Sequence, residues 1–410
     1  MLLGVSGAQW SAVPPQFEII AEDGVARTGV LHTGHGDLHT PAFFGVATRA
    51  ALKGVEPAAA REAGLEAVIC NSYHLALQPG AEAVARAGGL HRFMGWPGVM
   101  ATDSGGFQIF SLRFGQVADE IKGRRRLPAP ARGSAGIAPA DAVHLTEEGA
   151  LFRSYLDGST HLFTPESNME LQQALGADLL FCLDECTPLH VPREYTERAT
   201  ERNLRWARRC LDRHREVGAS DRQGLFGIVH GGVYPDLRER AARAIGAMDF
   251  FGFAIGDCLG ETKEDWYRVV DRVRPFLPGD RPRHLLGVGE PDDLVEGALR
   301  GMDSFDCAMP TRIARHGQAL AFGRPRYRLH VGSAACRYDE APIEEGCPCT
   351  ACSRHSRAYL HHLTKARELL GVTLLAEHNL CFTSRLLERV RAAIACHSLA
   401  DLRAEVLCSR

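Results

Sequence analysis

Short apolar segments alternate with amphipathic stretches along most of this chain. Ala67 to Asn71, Val99 to Asp103, Asp178 to Asp184, Leu225 to His230, Phe250 to Ile255, Arg283 to Gly287 and Ser304 to Ala308 have the length and apolar continuity of strands buried on both faces. Each segment ends in polar or glycine-rich residues. Helical periodicity fills several of the gaps, near Ala199 to Glu216, where Leu204, Ala207 and Leu211 share a face, and near Leu237 to Ala247, Lys263 to Leu277 and Asp292 to Arg300. Strand and helix alternating at this spacing predict a parallel sheet, and about eight such units over roughly 250 residues close into a (β/α)8 barrel. A doubly wound open sheet is the competing arrangement. Against it, no G-x-G-x-x-G follows the first strand, and polar candidates sit at several strand ends instead of one switch point.

Three regions fall outside the repeat. Residues 1–45 carry Phe17 to Ile20 and Gly29 to His32 with glycine turns at Gly34 and Gly36, which predicts a small antiparallel sheet before the barrel of residues 46–325. The stretch 113–150 is rich in Ala, Gly and Pro around Arg124, Arg125 and Arg126, and is expected to be a long inserted loop. Residues 326–410 hold a dense cysteine group followed by two helical stretches, a subdomain closing the barrel. The expected fold is therefore α/β, an irregular (β/α)8 TIM barrel with an N-terminal antiparallel sheet and a C-terminal, cysteine-bearing subdomain.

Composition narrows the class. With 45% apolar and 24% charged residues, and Gly and Pro dispersed, the chain is neither collagen-like nor wholly disordered. No apolar run approaches the roughly 18 residues of a spanning helix, and the first twenty residues lack the layout of a signal peptide, so no membrane role is expected. The formal charge of -3 gives no whole-chain attraction for nucleic acid, so a polyanion would have to meet a local patch. Thirteen cysteines without a leader point to a reducing compartment, the cytoplasm, and to a metal site in place of a disulfide framework.

The densest chemical signal is Cys347, Cys349 and Cys352 within six residues, followed by His378. Three thiolates and an imidazole suit a tetrahedral structural Zn2+ and leave no position open for water. His355, His361 and His362 are nearer in sequence and compete for the fourth place, while Cys70, Cys182, Cys210, Cys396 and Cys408 read as ordinary buried thiols. Asp103, Asp184 and Asp306 lie at three different strand ends, which share the C-terminal face of a barrel. One carboxylate there attacking a sugar carbon while another moves protons is the division of labour of retaining glycosyl chemistry. Taken singly, Asp103 or Asp306 is more often an ordinary strand-end cap or turn; the convergence of three acids points to a site. Glycines follow the strands at Ser104 to Gly106, His230 to Gly232, Gly256 to Gly260 and Gly287 to Gly289, where backbone can approach a ligand or simply turn. Arg312 and Arg315 lie close to Asp306 in sequence and would meet a phosphodiester.

At this point the chain resembles the tRNA-guanine transglycosylase family over nearly its whole length. The matching pieces occur in order: Asn71 to Leu75 with Pro79 and Gly80, Thr102 to Gln108, Phe152 to Gly158, Asp184 to Pro188, Gly287 to Gly289 with Pro291 to Asp293, Phe305 to Cys307, Pro310 to Arg312, the cysteine group, and Glu377 to Asn379. The resemblance implies an irregular barrel whose zinc is held by Cys347, Cys349, Cys352 and His378. It also implies a reaction: Asp306 attacks C1' of the wobble guanosine of a tRNA with a GUN anticodon, and a covalent ribosyl-aspartate forms. Asp103 is the general acid/base that releases guanine and accepts a 7-deazaguanine, queuine or its aminomethyl precursor. Asp184 binds the base edge, Phe107 and Leu286 sandwich the base, Asn71 lies near the ribose, and Arg312 and Arg315 hold the anticodon-loop backbone. No organic cofactor is implied. A homodimer formed through the zinc subdomain is, with Tyr359 and His362 at the contact.

Two departures face the base pocket. His230 stands where many bacterial members have a glutamine, and Gly256 to Glu261 is one residue shorter than the usual loop. Asp257 is expected to meet the amine or hydroxyls of a bulkier 7-substituent, with Gly256 and Glu261 lining the same wall, so direct use of queuine stands as a hypothesis beside use of the aminomethyl base. A 7-deazaguanine transferase acting on DNA, or a non-catalytic RNA-binding partner subunit, are the alternatives; Asp103, Asp184 and Asp306 together argue against the second.

Overall fold

The computed structural model describes residues 13–109, 143–257 and 259–408. The strands run in chain order. β1 (Gln16–Asp23), β2 (Ala26–Thr33) and β3 (Gly36–Thr40) make a three-stranded sheet, and β4 (Ala42–Val46), β5 (Ala67–Asn71) and β6 (Val99–Asp103) follow. β7 (Val143–Leu145), β8 (Ala150–Arg153) and β9 (Thr160–Phe163) make a second antiparallel sheet. Then come β10 (Leu179–Phe181), β11 (Gly224–Val229), β12 (Gly252–Ile255), β13 (Arg283–Leu285) and β14 (Ser304–Cys307), and a hairpin of β15 (Gln318–Leu320) and β16 (Arg328–His330). β4, β5, β6 and β10 to β14 close into an eight-stranded barrel, parallel as in Phe44 opposite Ala67 and Leu180 opposite Thr102. This is the TIM barrel expected from the alternation.

All seven expected strands are present, and two features were not foreseen. β4 follows β3 after a single residue, Pro41, so no helix separates the first barrel strand from the preceding sheet and the repeat became visible only at β5. The sheet β7-β8-β9 has strands of three or four residues, too short for periodicity to register, yet Ala150 and Phe152 are buried while Leu151 and Arg153 are exposed, as pleating requires. The end of the expected loop, from Val143 onward, is therefore β7 and the turn into β8; its part 113–142 lies outside the described residues. Cys396 and Cys408 are exposed, not buried as read from sequence, because they follow the last turns of their helices.

The helices begin and end where local chemistry dictates. Pro165–Leu175 opens on a capping box between Thr164 and Ser167 and stops at Gly176 in the left-handed region. Lys263–Val273 opens on a second box, Thr262 with Asp265, and yields at Pro275 to a 3-10 turn, short of the expected Leu277.

The chain divides into two compact units. The first comprises Met1–Gln16, Asn71–Phe93 and Ala101–His284. In it the helices Pro165–Leu175 and Arg193–Glu216 are laced by paired guanidinium and carboxylate groups, Arg209 with Glu166 at 2.7 Å and Arg213 with Glu170 at 2.6 Å. The second comprises Phe17–Cys70, Met94–Met100 and Leu285–Arg410. Its long helix Leu369–Ala395 lies over β2 and β4, and its Arg391 donates to Pro41 O at 3.0 Å. There, Arg27 of β2 meets Asp303 in a fully buried two-bond pair at 2.8 and 2.6 Å, placed just before the nucleophile candidate's strand β14.

Candidate active site

In the first unit the site grows from the ends of β5 and β6. Asn71, last residue of β5, caps the short helix Ser72–Leu77: its Oδ1 accepts from the His74 amide at 3.0 Å. That bond fixes the amide's orientation, so the Nδ2 side must face the other way, and it donates to both oxygens of Asp103 at 2.7 Å. Gly105 N adds a third hydrogen bond at 2.9 Å. Asp103 ends β6 half-buried and held in one orientation by charge-assisted hydrogen bonds.

The next residue builds the second carboxylate's seat. Ser104 Oγ donates to Asp184 Oδ1 at 2.8 Å, and the Cys186 thiol lies 3.4 Å from Oδ2. Gly106 is obligatory here, because a Cβ on it would lie 2.1 Å from Asp184 Oδ1. Behind these residues the buried amides of the helix Pro165–Leu175 brace two strand ends at once: Asn168 donates to Ser104 O at 2.8 Å, and Gln172 bonds both Thr102 and Phe181 O at 2.9 Å. Phe107, just beyond, keeps 39% of its surface exposed, available as a platform.

His230 follows β11 and is 2% exposed. Its Nε2 is 3.3 Å from Asp184 Oδ2 and its Nδ1 is 3.9 Å from Asp257 Oδ2, but neither contact has hydrogen-bond geometry, so the imidazole is buried with two unmet nitrogens. Asp257 corrects the sequence expectation. Its side chain is 1% exposed, and its carboxylate accepts from Thr187 N at 2.6 Å, Thr187 Oγ1 at 2.9 Å and Gly232 N at 2.8 Å. Burial pushes its pKa up, but His230, Arg238 and these donors outweigh burial and hold it below the usual carboxylate range. Asp257 is thus a clamp between two loops, not a group waiting for a substituent. Arg238, 1% exposed, completes the clamp by donating to Gly232 O at 2.7 Å and to Val229 O and Gly256 O at 2.9 Å. Glu261 is exposed ahead of the helix Lys263–Val273, its amide bonded to Asp265, and it does not join this cluster.

The second unit holds the remaining candidates. Asp306 lies in β14 and accepts from Gly287 N at 2.9 Å, in the turn after β13 that also carries the partly exposed Leu286. Gly289 lets that turn close down, since a Cβ there would meet Cys307 Cβ at 2.4 Å. Arg312 and Arg315 stand at the end of the helix Met309–Ala314, and neither has an ion-pair partner among the described residues.

Also in this unit, Cys347, Cys349, Cys352 and His378 bring their ligand atoms within 4.8 Å of one another, a group that could hold a metal ion. His378 Nδ1 lies 3.8, 3.4 and 3.3 Å from the three sulfurs in that order. His378 Nε2 donates to Leu320 O at 2.7 Å, which leaves the Nδ1 lone pair facing the sulfurs. The nearer histidines are thereby set aside: His361 is turned to Val331 O, and His355 stacks on Tyr359 at 4.9 Å. Next to His378, Asn379 bonds Leu320 N at 2.7 Å, Pro310 O at 2.9 Å and Gln318 O at 3.1 Å, tying the metal-site helix to the helix that carries Arg312.

Sequence reasoning missed Ser104, Asn168, Gln172, Thr187 and Arg238. Ser104 and Thr187 lie inside motifs already singled out, whereas Asn168, Gln172 and Arg238 sit on helices where a polar residue reads as solvated.

Comparison with known proteins bears on this arrangement. The family model described as queuine tRNA-ribosyltransferase matches residues 22–410. The chain is similar to a protein named queuine tRNA-ribosyltransferase from Roseiflexus sp. (strain RS-1), 46% identical over 95% of this chain and 98% of that protein. It is similar to proteins of the same name from Pelotomaculum thermopropionicum, 46% identical over 93% and 94%, and Novosphingobium aromaticivorans, 44% identical over 92% and 94%.

Proposed function

The chain belongs to the queuine tRNA-ribosyltransferase family, and from that membership we propose that it is a tRNA-guanine transglycosylase. It replaces the wobble guanine, position 34, of tRNA with a GUN anticodon by a 7-deazaguanine, queuine or its aminomethyl precursor, in queuosine formation. The observation that carries the reading is the pair of consecutive residues at the end of β6. Asp103 is gripped by Asn71 and Gly105, and Ser104 holds Asp184, so a proton-transfer group and a base-edge acceptor are built side by side.

In the proposed reaction Asp306, oriented by Gly287 N, attacks C1' of the ribose. The C1'–N9 bond breaks with its electron pair on guanine, and Asp103 in its acid form protonates the leaving base. The covalent ribosyl-aspartate then meets the incoming base. Asp103, now a carboxylate, takes its N9 proton; N9 bonds to C1', and Asp306 leaves. Two displacements retain configuration, and one glycosidic bond is exchanged for another of similar energy, so no organic cofactor takes part. Asp184 accepts from the base edge, and His230 offers its unmet nitrogens to the same base. Phe107 and Leu286 cover the two faces, and Arg312 and Arg315 receive the anticodon-loop phosphates.

The metal of the Cys3His group is zinc in this reading. Tetrahedral zinc at ordinary bond lengths puts sulfur and nitrogen ligands about 3.5 Å apart, and the separations of 3.3 to 3.8 Å around His378 Nδ1 fit it. Four protein ligands make it a structural ion that stabilises the subdomain. A homodimer through Tyr359 and His362, whose rings lie 6.5 Å apart on an exposed helix face, and a cytoplasmic location belong to the same proposal. Among the described residues no helix is long and apolar enough to cross a membrane.

The test is exchange of labelled guanine into unmodified tRNA bearing a wobble guanosine, for wild type and Asp306→Ala, with queuine and the aminomethyl base as competitors. Label entering only with Asp306 present is expected. Exchange undiminished in Asp306→Ala overturns the nucleophile assignment, and no exchange by the zinc-loaded wild type overturns the activity. Refusal of queuine alongside use of the aminomethyl base assigns the latter as substrate.

A further inference from the structure

Beside the acid/base group, the turn that joins β8 to β9 presents side chains that neither the fold nor the chemistry described above employs. Tyr155 is 47% exposed and Leu156 46% exposed, although both lie in a described, hydrogen-bonded turn closed by Ser154 N to Ser159 O at 2.8 Å and Gly158 N to Ser154 O at 2.9 Å. Tyr155 is not a loose side chain. Its hydroxyl is 3.3 Å from His74 Nδ1, its ring stacks at 6.5 Å and 29° with that of Tyr73, and His74 meets it edge-on at 6.0 Å. Tyr73 is in turn packed against Phe152 at 5.0 Å, beneath the sheet. A large aromatic ring is thus braced from behind while nearly half its surface faces solvent. Two residues earlier, Arg153 is exposed at the end of β8 and makes no ion pair among the described residues.

A rigid exposed ring, two residues along the chain from an exposed guanidinium that makes no ion pair among the described residues, has the chemistry that binds single-stranded nucleic acid, the ring stacking on a base face and the cation meeting a phosphate. An apolar protein partner would not call for the cation, and packing alone would bury the ring. The anchor also leads inward. His74, which receives Tyr155, has its amide bonded to Asn71, and Asn71 holds both oxygens of Asp103. A nucleotide resting on Tyr155 would therefore lie on the same bonded chain of residues as the proton-transfer group, all within the first unit.

We propose that Tyr155 is a stacking platform, and Arg153 a phosphate contact, for a nucleotide flanking the wobble position of the bound anticodon loop. The proposal rests on the tRNA reading above and adds a positioning residue to it. Tyr155 touches no reacting atom.

The experiment uses the full chain with Tyr155→Ala, Tyr155→Phe, Tyr155→Trp and Arg153→Ala. Two readouts are taken: steady-state guanine exchange with KM measured separately for tRNA and for the base, and binding of anticodon stem-loops carrying 2-aminopurine at position 33 or at position 35. Tyr155→Ala is expected to raise KM for tRNA about tenfold, the scale of one lost base-aromatic stack, with KM for the base unchanged. Phe and Trp should restore it. The quenching of 2-aminopurine at one of the two positions should disappear in the Ala variant and return with Trp. Arg153→Ala should weaken stem-loop binding and flatten its salt dependence. An unchanged KM for tRNA in Tyr155→Ala overturns the proposal, as does a fall in kcat alone that Phe fails to rescue, since that would make Tyr155 a prop for His74. Wild-type exchange failing altogether would defeat the activity reading instead; in that case stem-loop quenching still decides the stacking platform, and its absence at both positions overturns it.

Discussion

Asn71 performs two tasks with one amide, and they can be separated. Its oxygen caps the helix Ser72–Leu77, and its nitrogen holds the Asp103 carboxylate. Asn71→Ala removes both, and is expected to cost about 1 kcal/mol of stability as a lost cap together with a fall in kcat of about a hundredfold, the lower end of a general acid/base contribution. Asn71→Ser keeps an oxygen for the His74 amide and gives up the Nδ2 group that donates to both oxygens of Asp103. It should retain stability while losing turnover, which urea melts and exchange rates on the same preparations will distinguish. A Ser variant as active as wild type would show that Asp103 needs no such grip. At the same scale, His230 and Asp257 illustrate how misleading residue type alone can be. Asp257 looks like a reader of the substrate and is spent on Thr187 and Gly232, whereas His230, buried between two carboxylates, keeps its ring nitrogens unmet.

The helix Arg193–Glu216 carries a buried histidine whose protonation folding opposes. His214 is 3% exposed, and its Nε2 donates to Gln223 O at 3.1 Å, so a proton on Nδ1 would be buried without an acceptor. Burial accordingly lowers its pKa from 6.5 to about 4. The unfolded chain takes up this proton first, so the contribution is complete above about pH 6.5 and is lost as the pH falls toward 4. Over that window it amounts to roughly 3 kcal/mol at 1.36 kcal/mol per unit. Urea midpoints for wild type should therefore drop between pH 7 and pH 4.5 more steeply than for His214→Gln, whose amide can still donate to Gln223 O. Parallel pH slopes in the two proteins would refute the assignment. The same helix also explains the long run of arginines, which lace it to Glu147, Glu166 and Glu170. These pairs are largely exposed and individually contribute little.

For the molecule as a whole, the metal site is expected to decide the integrity of the second unit. His378 and Asn379 are consecutive on the helix Leu369–Ala395; the first faces three sulfurs, and the second ties β15 and the Arg312 helix to it. With zinc as the proposed ion, its removal would leave three thiols and a histidine crowded together, so chelation or His378→Ala should lower the thermal midpoint by several degrees or unfold the subdomain outright. Metal analysis should give one zinc per chain in the wild type and none in the variant. An unchanged thermal midpoint after verified removal of the ion would mean that packing alone holds these helices.

The sequence by itself determined the barrel, because alternating buried strands and amphipathic helices are local patterns repeated often enough to read, and it marked the three clustered cysteines and the three strand-end acids, whereas His378, 26 residues beyond Cys352, is brought to the sulfurs only by packing. β4 and the sheet β7-β8-β9 escaped it, the former for want of an intervening helix and the latter because strands of three or four residues carry no readable period. Only the tertiary structure decided what each site residue does with its hydrogen bonds. Asn71 finds Asp103 across 32 residues, Ser104 finds Asp184 across 80, and Thr187 claims Asp257 across 70. Those partnerships follow from side-chain direction and from the demand that buried polar groups be satisfied. Both are settled when distant segments pack together, and neither is written in the neighbouring residues.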